Sequence, residues 1–213
     1  MIAIIDYNAG NLSSVKRALD FLGRESVVTS DYSEVIEAER IIFPGVGAAG
    51  KAIDDLIRHR LDQAIIESYR IKKPILGICL GTQIIMEMSR ENDTKCLGLI
   101  KGEVRRFPKD LTDTGGIRLK VPHMGWNSVK IKKGHPLFER VGPESEFYFV
   151  HSYYPVPDLP ENILGETYYG TWFASVLLLQ NLVATQFHPE KSGRPGLQIL
   201  ANFCGWDGKG YAE

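Results

Sequence analysis

Ile71-Lys-Lys-Pro-Ile-Leu-Gly-Ile-Cys-Leu-Gly-Thr-Gln-Ile-Ile-Met-Glu-Met88 decides how the rest of the chain is read. Pro74 to Ile78 is a short, almost wholly apolar run, the pattern of a strand buried on both faces. Ile84 to Met88 carries apolar spacing suited to a helix. Between them stands Gly77-Ile78-Cys79-Leu80-Gly81. A Gly-x-nucleophile-x-Gly sequence at a strand-to-helix junction forms a nucleophile elbow, in which the flanking glycines let the backbone turn so sharply that the central side chain stands clear of the sheet. Here that side chain is a thiol. The first turn of the expected helix aims unpaired N–H groups at the sulfur, which favours thiolate over thiol. The N–H of Leu80 is then placed to stabilise a tetrahedral oxyanion.

Outward from the elbow, the chain alternates. Ile2 to Ile5 reads as a strand, Leu12, Val15, Ala18, Leu19 and Leu22 recur at helical spacing until Gly23, and Val27-Val28-Thr29 and Arg40 to Phe43 give two more strands. This alternation predicts an α/β fold, a mostly parallel sheet flanked by helices with function gathered at the carboxyl ends of strands. Pro44-Gly-Val-Gly47 ends the third strand at that same edge and offers the N–H of Val46 as a second oxyanion donor, although a plain turn would look alike. A phosphate loop is excluded, because Gly45 to Lys51 has neither the spacing nor the hydroxyl. From Ile117 onward the texture is short strands and turns, read as antiparallel additions to the sheet. Pro122 to Asn127 and Phe149 to Tyr154 read as aromatic, polar loops, and Glu87 and Glu91 as neighbours on one helix face.

Composition narrows the classes. With 213 residues, a net charge of -1 and 24% charged residues, no charge sign dominates, so neither nucleic acid nor an anionic membrane is expected as a partner. Cys79, Cys96 and Cys204 form no Cys-x-x-Cys pair, which fits reduced thiols, no structural metal and a cytoplasmic home. No run approaches the ~18 apolar residues of a membrane span, and Met1 to Asp6 reads as a first strand and not a leader. A single domain over residues 1–213 is expected.

A thiolate performing acyl transfer needs a base, nearly always His, and a group to orient it. Of five histidines, His188 is distinguished: it follows the strand Leu182 to Phe187 directly, and Pro189 stiffens the exit before Glu190, whose carboxylate can fold back to the imidazole. Cys79, His188 and Glu190 make a candidate triad. Peptidases and ester hydrolases also use elbow cysteines, and a binding subunit with silent chemistry is a further alternative.

Gly77-Ile-Cys79-Leu-Gly81-x-Gln83 together with Gln186-Phe-His188-Pro-Glu190 resembles the signature pair of class I (triad) glutamine amidotransferases, a flavodoxin-like α/β family. Within it, Asp6 to Asn11, Pro44 to Gly47, Pro122 to Asn127, Phe149 to Tyr153 and His188 to Ser192 are similar to the glutaminase subunits of imidazole glycerol phosphate synthases of histidine biosynthesis. The resemblance implies Cys79 as nucleophile, His188 as base and Glu190 as orienter, with oxyanion N–H groups from Leu80 and Val46. It implies L-glutamine held by Gln83, Glu91, His151, Ser152, Tyr153 and Gly47, no cofactor and no metal. It also implies a (β/α)8 barrel cyclase partner facing Asn11, Trp126 and Lys191, which takes ammonia and activates the Val46 strand. Ala48-Ala49 departs from the aromatic residue that members often carry after Pro-Gly-Val-Gly.

Overall fold

A computed structural model of the chain describes residues 1–8 and 10–210; Ala9, inside the motif Asp6 to Asn11, and the last three residues of the expected domain lie outside the described residues. The strands in chain order are β1 (Ile2–Ile5), β2 (Ser26–Thr29), β3 (Arg40–Gly45), β4 (Ile75–Cys79), β5 (Met86–Ser89), β6 (Thr94–Lys95), β7 (Ile100–Arg106), β8 (His123–Ser128), β9 (Lys130–Ile131), β10 (Glu146–His151), β11 (Tyr153–Pro157), β12 (Ile163–Tyr168), β13 (Trp172–Leu179) and β14 (Leu182–Thr185). The helices are α1 (Leu12–Phe21), α2 (Tyr32–Glu37), α3 (Ala49–Arg58), α4 (Leu61–Arg70), α5 (Leu80–Ile84) and α6 (Gly193–Gly205).

The main sheet runs β2-β1-β3-β4-β14-β13-β12-β9. Its first five strands are parallel and the remaining three antiparallel. β1, β4 and β14 are buried at every position, as strands covered by helices on both faces must be. Two apolar layers follow, one centred on Ile5, Phe43 and Leu56, the other on Leu19, Phe187 and Phe203. The parallel sheet with its helices is as expected.

Four local expectations are corrected. The elbow helix stops at Ile84, and Met86–Ser89 is a strand, so Glu87 and Glu91 do not share a helix face. The run Ile84-Ile85-Met86 is apolar enough for either state, and pairing of Met86 with Ile100 decides for strand. Residues 122–127 and 149–154 are largely strand and not loop, in β8, β10 and β11. Of the strands after Ile117, β14 joins the main sheet parallel to β4, and only β9, β12 and β13 are antiparallel additions to it; β8 pairs with β10, and β11-β7-β5-β6 forms a third sheet. Residues 118–121, in the stretch read as short strands and turns, make one isolated bridge, Arg118 to Thr112.

Candidate active site

Cys79 closes β4 at φ 54° and ψ -103°, a conformation that a side chain rarely adopts. The two elbow glycines show what holds it there. A Cβ on Gly81 would stand 2.1 Å from the Phe43 carbonyl oxygen, and one on Gly77 would stand 2.9 Å from Ala184 Cβ. Only glycine lets α5 turn back this close to β3 and β14. Thr82 Oγ1 then donates to the Thr185 carbonyl at 2.6 Å, tying the elbow to the strand that carries the base.

The base arrives next door. β4 and β14 pair through Ile78 and Thr185, so the ends of both strands lie at one sheet edge, and His188 follows three residues after Thr185. His188 Nδ1 and Glu190 Oε1 are 2.8 Å apart, both side chains are buried, and Nε2 makes no hydrogen bond of its own. Because carboxylate oxygen only accepts, Nδ1 carries a proton, and Nε2 is the atom free to exchange one with sulfur. Burial is the strongest single influence on His188 and opposes its charge. The Cys79 sulfur, followed by Glu190, more than reverses it and holds the imidazole up at about 10. Nucleophile, base and orienter are thus electrostatically coupled.

Asn11, expected on the partner side, donates its side-chain amide to the same Glu190 Oε1. It therefore steadies the carboxylate that steadies the imidazole, a contact spanning 179 residues that local spacing could not reveal.

The other expected residues converge on one cavity of ≈ 310 Å3, lined by Val46, Gly47, Cys79, Leu80, Gln83, Glu91, His151, Ser152 and Tyr153. Val46 stands just past the end of β3, exposed, and Gly47 takes φ 104°, so this segment can turn its peptide groups toward the thiol. Glu91 Oε2 accepts from the Ala49 N–H at 2.7 Å, capping α3 at the cavity rim. Gln186, quoted in the sequence motif but assigned no role, donates to Cys79 Sγ at 3.7 Å and accepts from Gln83 Nε2 at 3.2 Å. Trp126 and Lys191 are exposed, and both lie against the Tyr148 ring. Among the described residues no cluster of three or more His, Cys, Asp or Glu side chains could hold a metal ion, and no helix is long and apolar enough to cross a membrane.

An elbow thiol coupled to a buried His–Glu pair beside a cavity suits acyl transfer from a small substrate. The family profile "Glutamine amidotransferase class-I" matches residues 3–205, and the chain belongs to that family. Its fold is similar to that of a solved structure described as PurLQS from Thermotoga maritima, with a TM-score of 0.72 at 18% identity over 96% of this chain and 97% of that one.

Among curated relatives, the imidazole glycerol phosphate synthase subunit HisH of Maridesulfovibrio salexigens is 51% identical over 95% of this chain and 95% of its own. The HisH subunit of Neisseria meningitidis serogroup A is 45% identical over 96% and 99%. Within the amidotransferase class, the chain groups with the HisH subunits.

Proposed function

We propose that this chain is the glutaminase subunit of an imidazole glycerol phosphate synthase, and that it releases ammonia from L-glutamine through a γ-glutamyl thioester on Cys79. The Cys79 sulfur attacks the side-chain amide carbon, and the oxyanion is received by the N–H groups of Leu80 and Val46. His188 protonates the departing nitrogen as the C–N bond breaks. It then takes a proton from a water that attacks the thioester, yielding glutamate and the free thiol. Gln83, Glu91, His151, Ser152, Tyr153 and Gly47 hold the amino acid in the cavity.

What supports this reading above all is the buried His188–Glu190 pair coupled to Cys79, whose thiol lines a cavity sized for a small amino acid. Ammonia released into water near neutral pH becomes ammonium and loses its nucleophilicity. A (β/α)8 barrel cyclase docked over Trp126 and Lys191 takes it up directly, and that docking orders the Val46 segment. The single-domain organisation of the whole chain and a cytoplasmic location complete the reading.

The test uses the complex of this chain with its cyclase. Cys79→Ala abolishes synthesis from glutamine and leaves synthesis from added ammonium salts intact. Equal loss of both activities would overturn the division of labour.

A further inference from the structure

Behind the cavity runs a chain of polar side chains, buried except for the half-buried Asn127, whose donor directions are all determined. Asn127 Nδ2 lies 3.0 Å from the Tyr168 carbonyl oxygen, an atom that only accepts, so the amide group is oriented without ambiguity. The second hydrogen of Nδ2 points to His123 Nε2 at 3.4 Å. His123 Nδ1 lies 3.1 Å from His151 Nε2, and His151 Nδ1 lies 2.8 Å from the Tyr153 carbonyl oxygen. That carbonyl forces the proton of His151 onto Nδ1. With the ring neutral, its Nε2 accepts from His123 Nδ1–H, which leaves His123 Nε2 to accept from Asn127.

The Tyr153 carbonyl also receives Gln83 Nε2 at 3.0 Å, whose other hydrogen goes to Gln186 Oε1, which turns Gln186 Nε2 toward Cys79 Sγ. His123, His151, Gln83 and Gln186 are all buried. Burial holds His123 down at about 4; burial and then the neighbouring His123 hold His151 at about 3. Both rings are therefore neutral throughout the working range.

We propose that His123 is a positioning residue for the chemistry of Cys79: its Nδ1–H occupies His151 Nε2, which keeps that ring neutral and seated on the Tyr153 carbonyl that also orients the Gln83–Gln186 amide pair donating to the sulfur. The inference rests on Cys79 being the nucleophile. A ring in that place could serve packing alone, since His123 stacks on Phe149 at 4.8 Å and on Tyr169 at 4.0 Å. Two substitutions separate these roles. His123→Phe keeps the aromatic packing and loses the donor; His123→Asn loses the ring and keeps an N–H at the δ position.

The experiment measures kcat/KM for glutamine against pH, with full-length chains alone and with the cyclase. His123→Phe is expected to lose roughly tenfold, the equivalent of one buried hydrogen bond, and to gain an acid limb as His151 becomes free to take a proton. His123→Asn is expected to stay closer to the parent and keep its profile. The reverse order, or equal losses with unchanged pH profiles, would overturn the proposal. Should the variants fail to fold, nitrogen-detected NMR of the parent histidines decides: both rings must be neutral and protonated at Nδ1, and an Nε2-protonated ring at either position refutes it. Activity persisting in Cys79→Ala would instead strike at the nucleophile itself.

Discussion

Cys79 and His188 leave neighbouring strands at the same sheet edge, yet they are fixed by opposite means. The thiol is held by backbone: a left-handed φ, clamped between two glycines that admit no Cβ. The imidazole sits on ordinary backbone, at φ -100°, and is held by side chains, Glu190 first and Asn11 behind it. A group held by backbone tolerates no added atom, whereas one held by hydrogen bonds can be weakened in steps. The nucleophile side should therefore respond to substitution all at once and the base side gradually.

Gly81→Ala is the harshest way to break that contrast. Its methyl would meet the Phe43 carbonyl at 2.1 Å, and β3 can yield only by displacing the Val46 segment. The expected outcome is loss of glutaminase activity, with a cost of about 3 kcal/mol and a fall in Tm on the order of 10 °C. Calorimetry and a glutamine assay check both. His188→Ala comes next: the fold survives and kcat falls about 10^3-fold, within the range for removing a general acid–base. Asn11→Ala leaves the His–Glu pair in place and should reduce kcat only about tenfold, as one lost hydrogen bond to a buried carboxylate.

The mildest perturbation is pH. His188 is raised above its ordinary 6.5, so the stability it contributes is fully present below pH 6.5 and is lost as pH rises through about 10. His123 and His151 are lowered, so their contribution is present above 6.5 and is lost as pH falls toward about 4 and about 3. Denaturant midpoints measured across pH should thus decline on both sides of neutrality. Cys79→Ala should flatten the alkaline decline, because it removes the strongest of the influences that raise His188.

This contrast also governs what could be read from the chain alone. The elbow was legible because backbone-held geometry leaves local marks, two glycines around one residue after an apolar strand. The His188-Pro-Glu190 pairing was legible for the same reason, being confined to three residues. Asn11, His123 and Gln186 were not, because their roles arise from contacts across strands: His123 meets His151 only through the β8–β10 register. One mark is present in the sequence itself. Around Trp126 the apolar Met124 and Trp126 alternate with His123, Gly125 and Asn127, the period of a strand and not of a loop. The strand at Met86–Ser89 left no comparable mark, since its state is set by β7.

Reaction with a glutamine-analogue electrophile, followed by peptide mass mapping, tests the central claim most directly, since Cys79, Cys96 and Cys204 are all buried and unpaired with one another. Modification confined to Cys79, blocked by glutamine and slowed in His188→Ala, is the predicted result. Modification of Cys96 or Cys204 in its place, or labelling of Cys79 that glutamine does not prevent, would contradict it.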